Sequence, residues 1–241
     1  MGGLGTGDVT PGEWEPETGR WIRWARTPGH DAYWHFRDAF FDDLLPPPGR
    51  RTLEVGCGEG RVARDLAARG HRVTAVDTAL GLVRQAREDG GGVFALADGG
   101  ALPFASGLFD LVVAYNALQV VADMQATVAE SARVLGPGGH LAACVAHPVT
   151  DLGRFADEGS LPPFVLRDRY FENERVETTV EDGELTMTFR GWTHSLEDYA
   201  RALEAAGLRI VGLREPRPAG ERGRFRAWRR VPLFLSFLAA R

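Results

Sequence analysis

Leu53-Glu54-Val55-Gly56-Cys57-Gly58-Glu59-Gly60-Arg61-Val62-Ala63-Arg64-Asp65-Leu66 runs from an apolar strand carrying an acid, through three alternating glycines, into a helix. Glycine at 56, 58 and 60 lets the backbone turn sharply and come close to a ligand, because no Cβ blocks the dihedrals or the approach. The helix predicted over Arg61 to Arg69 aims its N-terminal amides into that turn. The segment therefore reads as the opening of an α/β sheet and as a pocket for a nucleoside-bearing ligand.

Outward from it, strands and helices alternate. Strand Thr52 to Val55 is followed by helix Arg61 to Arg69, strand Arg72 to Val76, helix Leu80 to Glu88, strands Val93 to Leu96 and Leu108 to Ala114, helix Met124 to Val134 and strand His140 to Ala146. Alternation at this pace predicts a doubly wound, mostly parallel sheet with helices on both faces. Upstream, apolar and aromatic residues recur at helical spacing from Trp21 to Leu45 until Pro46-Pro47-Pro48-Gly49, which predicts a helical cap over residues 1–48 before a domain over 49–241. After His147-Pro148 the rhythm breaks. A strand at Val176 to Val180, a turn at Asp182-Gly183 and a strand at Glu184 to Arg190 predict a lid inserted over 148–191. Helix Ser195 to Ala206 then has Ser195 as N-cap and Gly207 past its end. Strands Leu208 to Glu215 and Val231 to Leu238 close the sheet as an antiparallel pair.

Two cofactor classes use a glycine turn of this kind, and Gly58, Gly60 and Ala63 also satisfy the relaxed dinucleotide fingerprint. The surrounding acids separate the two. S-adenosylmethionine brings an ammonium, a carboxylate and a sulfonium but no pyrophosphate, so its pocket profits from acids such as Glu54 and Glu59. Asp77, at the end of the second strand, is placed to accept from both ribose hydroxyls. Asp98, after the third strand, is placed to accept from an adenine amino group. That third acid at a third strand end favours S-adenosylmethionine.

These blocks, with Leu102-Pro103-Phe104, Phe109-Asp110-Leu111-Val112-Val113 and Arg133-Val134-Leu135-Gly136-Pro137-Gly138-Gly139, resemble the class I S-adenosylmethionine-dependent methyltransferases of the small-molecule "type 11" kind. The resemblance spans roughly Arg50 to Val145 and implies a Rossmann-like fold with an antiparallel final strand. It also implies that Glu54, Gly56, Cys57, Gly58 and Gly60 form the methionine-moiety loop, that Asp77 with Thr78 meets the ribose, that Asp98 with Gly99 meets the adenine, and that Tyr115 and Asn116 line the reaction centre. Two positions depart from the pattern: Ala79 replaces a usual serine, leaving Thr78 to supply any hydroxyl cap, and Gln119 stands where relatives often carry histidine.

Composition narrows the function. A formal charge of −5 argues against a nucleic-acid partner, which needs clustered cations; the basic run from Arg214 to Arg230 reads as a solvated surface. All 28 basic residues are arginine, which excludes Schiff-base and phosphate-loop lysine chemistry. Cys57 and Cys144 indicate no disulfide framework, suit a reducing cytoplasm, and read as packing residues. No apolar run reaches the ~20 residues of a membrane span, no signal peptide is visible, and the six histidines show no metal-ligand spacing.

Methyl transfer is an in-line displacement whose main demand is placement. A hydroxyl acceptor would gain from a base, for which His147 after the fifth strand is the first candidate, its alternative role being a cap ahead of Pro148. His30, His35 and His194 are weaker candidates. Tyr170 would orient a substrate or pack. Trp14, Trp21, Trp24 and Trp34, with Tyr33, Phe36, Phe40 and Phe41, would stack on a flat substrate or seal the cap. The expectation is O-methylation of a small apolar, aromatic or polyketide-like metabolite of secondary metabolism, with a homodimer left open. The rivals are S-adenosylmethionine-assisted rearrangement or cyclisation, a nicotinamide-dependent oxidoreductase, and a cofactor-sensing module.

Overall fold

The computed structural model describes residues 13–49, 51–156, 162–166, 170–219 and 225–241. Two helices, α1 (Thr18–Arg26) and α2 (Tyr33–Asp43), precede the sheet. The predicted continuous helical segment is split because Pro28 follows Thr27, whose backbone is extended, and Gly29 takes φ +69°. Then come β1 (Thr52–Val55), α3 (Arg61–Ala68), β2 (Val73–Asp77), α4 (Leu80–Asp89), β3 (Val93–Leu96), β4 (Phe109–Tyr115), α5 (Met124–Val134) and β5 (Leu135–Ala146). The predicted elements match these within a few residues at each end, except that β5 starts five residues early, because Leu135 pairs with Phe109 across the glycine-rich turn.

The stretch after β5 holds a short helix α6 (Pro148–Asp151), the pair β6 (Gly153–Phe155) and β7 (Phe164–Leu166), and a hairpin of β8 (Arg175–Asp182) and β9 (Leu185–Trp192). Helix α7 (Leu196–Ala205) follows, opened by a capping box in which the Ser195 hydroxyl accepts from the Asp198 amide and the Asp198 carboxylate accepts from the Ser195 amide. Strands β10 (Arg209–Arg214) and β11 (Phe234–Ala240) complete the chain.

The main sheet has seven strands in the order β10-β11-β5-β4-β1-β2-β3. Strands β1 to β5 are parallel, and β11 runs antiparallel to both β5 and β10. Side chains alternate between its faces with the strand period of two. Leu53, Val55, Val112 and Ala114 pack with Val128 of α5 and Leu203 of α7; Leu111, Val113 and Tyr115 pack with Phe40 of α2, Leu66 of α3 and Val83 of α4. All four residues of β1 are buried, Glu54 among them. Strand order reverses between β1 and β4, so the loops leaving their carboxyl ends diverge and open a crevice there. Among the described residues, no helix is long and apolar enough to cross a membrane.

Candidate functional site

A cleft of about 680 Å³ occupies that crevice, within the roughly 300–1,000 Å³ usual for small-molecule sites. Its floor is the turn after β1. Gly56, Gly58 and Gly60 all take positive φ (+73°, +54° and +86°), and a side chain at each would also meet a different neighbour. A Cβ on Gly56 would lie 2.7 Å from the Ala117 methyl, and one on Gly60 3.0 Å from that of Ala86. At Gly58 it would lie 3.1 Å from Trp21 Nε1, so the α1 indole rests on the turn. Cys57 is buried within it. Burial holds its thiol well above the usual range, with Glu54 and Asp77 adding to the effect, so it stays a protonated packing group.

Acids gather around this floor. Asp77 accepts from the Gly58 amide at 2.8 Å and from the Ala79 amide at 2.9 Å. Burial raises its pKa, and the amides of Ala79, Gly58 and Thr78 oppose that rise by bonding the charged form. Glu54 is fully buried, with Oε2 lacking any partner among the described residues; desolvation pushes its carboxyl well above the usual range, and the neighbouring Asp77 and Glu59 push the same way. Glu59 is also buried but anchored, its Oε2 accepting from Arg64 at 2.6 Å and from Arg26 of α1 at 3.1 Å. Asp98 accepts from the Gly100 amide at 2.8 Å and faces the cleft beside Gly99, where a Cβ would meet Val55 at 2.7 Å.

The far wall is aromatic. Trp24 of α1 and Phe189 of β9 meet edge to face at 5.6 Å, and Trp192, Phe225, Trp228 and Phe234 continue the lining. Between floor and wall stand Tyr115 and Asn116. Burial keeps the Tyr115 phenol protonated, and Asn116 holds the sparsely populated φ of +53°. Asn116 Oδ1 and Gln119 Oε1 are buried acceptors without partners among the described residues, and both residues line the cleft.

Residues 53–143 match a family model described as "Methyltransferase domain". The chain is 36% identical to a malonyl-[acyl-carrier protein] O-methyltransferase of Salmonella typhimurium over 45% of its length and 43% of that protein. It is 37% identical to a demethylmenaquinone methyltransferase of Parafrankia sp., over 48% of its length and 53% of that protein. The chain thus spans about half the length of the curated relatives it matches. A crystal structure of an S-adenosylmethionine dependent methyltransferase from Mesorhizobium loti superposes over 88% of this chain and 98% of that one, with a TM-score of 0.70 at 23% identity. Residues 53–143 are thus similar in sequence to methyltransferase domains, and the chain shares the fold of an S-adenosylmethionine dependent methyltransferase.

The match to a methyltransferase domain implies S-adenosylmethionine as cofactor, and the donor set fits it. The unpartnered acceptors at Glu54, Asn116 and Gln119 suit a ligand that brings an ammonium, and three strand-end acids offer further acceptors. Of the residues singled out in the sequence, Glu54, Gly56, Cys57, Gly58, Asp77, Thr78, Asp98, Gly99, Tyr115 and Asn116 share the cleft wall. Gly60 lies behind it, packed on α4 and Phe94. Thr78 caps nothing: Ala79 is the N-cap of α4 with no side-chain bond, and Glu15 instead accepts from the Gly81 amide at 3.1 Å.

His147 is not in the cleft wall. Its Nδ1 accepts from the Val149 amide at 3.2 Å and its Nε2 pairs with Glu215 at 3.1 Å, so both ring nitrogens are engaged. His30, His35 and His194 are likewise outside the wall, and the Tyr170 hydroxyl accepts from the Leu196 amide. The aromatic stripe divides: Phe36, Phe40 and Phe41 pack α2 onto the sheet, whereas Trp14, Trp21, Trp24 and Tyr33 reach the cleft. Sequence reading missed Arg61, Asp31 and Trp192. For Arg61 a signal existed, since a cation at the first position of a helix opposes the helix dipole and calls for an anionic partner.

Proposed function

We propose that this chain transfers the methyl group of S-adenosylmethionine to an oxygen of a small, largely apolar, aromatic metabolite. The observation that carries this reading is a single cleft with two unlike walls: acids and unpartnered acceptors at the glycine turn, and rings from α1, β9 and the segment before β11 opposite them. Such rings suit a flat ligand, with offset or edge contacts each worth about 0.5–1.5 kcal/mol beyond burial. One of the relatives is an O-methyltransferase by name, which supports oxygen as acceptor.

Bound there, the cofactor would supply an activated methyl group. The protein's own residues would then do three things. Glu54, Asn116 and Gln119 would hold the amino-acid end; Asp77 with Thr78, and Asp98 with Gly99, would orient the nucleoside; and helices α1 and α2, with the β8–β9 hairpin, would exclude water. Placement of this kind supplies up to about 7–11 kcal/mol of a barrier. No proton-accepting group in the cleft wall is assigned to the reaction, because Tyr115 and Cys57 keep their protons and His147 is engaged elsewhere. A hydroxyl that is acidic in its own right, as in a phenol or enol, suits such a wall best. The formal charge of −5 favours a small-molecule partner over nucleic acid, and two buried free thiols suit the cytoplasm.

The test is calorimetry followed by mass spectrometry. Titration with S-adenosylhomocysteine should give saturable heat and NAD none. Incubation with S-adenosylmethionine and simple phenols should give products one methyl heavier, with matching S-adenosylhomocysteine. Heat with NAD alone overturns the reading in favour of an oxidoreductase. S-adenosylhomocysteine binding with a product of unchanged mass would identify a rearrangement or cyclisation.

A further inference from the structure

We infer that Arg61, held in place by Asp31, receives the carboxylate of the cofactor's amino-acid end. The inference rests on the cofactor assignment above and adds a residue that neither motif nor relative supplied.

Arg61 occupies the first position of α3, directly after the glycine turn, where the helix dipole repels a cation. It is held there all the same. Its Nη1 donates to Asp31 Oδ2 at 2.7 Å, and its guanidinium lies 4.3 Å from the Tyr33 ring centroid and 4.9 Å from that of Trp21. Both members of the ion pair are nearly buried, with side chains 11% and 9% exposed, and both line the cleft. Asp31 is fixed in turn, since its other oxygen accepts from the Tyr33 amide at 2.9 Å.

A guanidinium carries five N–H donors, and among the described residues Arg61 gives hydrogen bonds only through Nη1. Two rings lie against the guanidinium, and its remaining N–H donors are left for a bidentate carboxylate. On the same floor, Glu54 is close enough for Arg61 to lower its pKa against the pull of burial. Guanidinium and carboxyl together complement an α-amino acid zwitterion: Glu54 on the ammonium side, Arg61 on the carboxylate side. Neutral Asp31–Arg61 meeting a neutral zwitterion leaves no net charge to bury.

Calorimetry with two ligands isolates this role. S-adenosylhomocysteine has the amino-acid end and 5′-methylthioadenosine lacks it. In Arg61→Gln, and in Asp31→Asn/Arg61→Gln, which leaves no lone buried charge if the single variant fails to fold, S-adenosylhomocysteine should bind roughly 10- to 100-fold more weakly. Methylthioadenosine should change less than about twofold, because it has no carboxylate to lose. Arg61→Lys should restore part of the difference. Equal losses for the two ligands, or no loss for either, overturn the inference by making Arg61 a structural residue. Wild-type protein that binds neither ligand overturns the cofactor reading itself, and this inference with it.

Discussion

The two walls of the cleft are encoded in different ways. The cofactor side lies almost wholly between Leu53 and Gly99, and its shape is set by backbone: three glycines at positive φ and carboxylates at strand ends that accept from their own loop amides. The aromatic side, proposed to take the acceptor, is set by side chains brought together from opposite ends of the chain. Trp24 meets Phe189, Arg190 of β9 reaches Glu17, 173 residues away, and Arg175 of β8 reaches Glu13, 162 residues away. The family match over 53–143 covers the first wall and leaves out most of the second. A backbone-coded wall tolerates few changes and is shared; a side-chain-coded wall can be repainted by substitution, which is where selectivity between acceptors would reside.

Alanine at two left-handed glycines gives the sharpest contrast. Gly56 has φ +73° and no room, while Gly183 at the tip of the β8–β9 hairpin has φ +63° and nothing within 4 Å of an added Cβ. Gly56→Ala should lose roughly 2–5 kcal/mol in urea denaturation, combining left-handed strain with overpacking, and should abolish S-adenosylhomocysteine binding. Gly183→Ala should lose only about 1–2 kcal/mol, the strain alone. Equal losses would mean that the turn is no more constrained than the hairpin tip.

The same division explains what could be read in advance. Strands β1 to β4, helices α3 to α5, the glycine turn and the acids at 77 and 98 were legible because each is a local pattern: a run, a period, or a residue at a strand end. The hairpin and the antiparallel ending were legible for the same reason. Tertiary partnership was not. Nothing local says that Pro28 and Gly29 divide the cap into two helices with different duties, that Glu15 rather than Thr78 serves the start of α4, or that His147 is turned to Glu215. Arg61 is intermediate, its oddity local and its partner Asp31 thirty residues upstream.

Truncating the acceptor wall should separate the walls functionally. Phe189 touches Trp21 and Trp24 edge-on and is half-buried, so Phe189→Ala should cost about 1–2 kcal/mol of stability, below the 3–5 usual for a fully buried ring. Its S-adenosylhomocysteine affinity should stay within about twofold of wild type, while kcat/KM for a phenol acceptor falls about tenfold or more. A comparable loss of cofactor affinity would show that Trp21, resting on Gly58, couples the walls.

On the cofactor wall, Glu54 makes stability depend on pH. Burial raises its folded pKa above the unfolded value, so the folded chain holds this proton more tightly, and the stabilisation it gives is complete below the unfolded pKa of about 4.3 and lost as pH rises through the raised folded value. Glu54→Gln has no charge to bury. Without added cofactor it should match wild type at pH 4 and exceed it by about 1 kcal/mol at pH 8, read as urea midpoints, while binding S-adenosylhomocysteine more weakly. A variant less stable than wild type at pH 8 would mean that Glu54 carries its charge at ease in the fold.

The smallest effect should come from the ion pairs that fasten the cover. Arg175 and Glu13 meet at 2.6 Å, yet their side chains keep 44% and 25% of their exposure, so water and salt screen the attraction. Glu13→Gln should cost no more than about 0.5 kcal/mol in low salt, and less in 0.5 M sodium chloride, by thermal melts. The rings of Trp21, Trp24 and Phe189 lie inside the same junction, and their contacts do not weaken with salt. A loss well above 1 kcal/mol that salt reproduces in wild type would reverse this order. Charge would then hold the acceptor wall closed, and that wall could be opened by ionic strength without altering any ring.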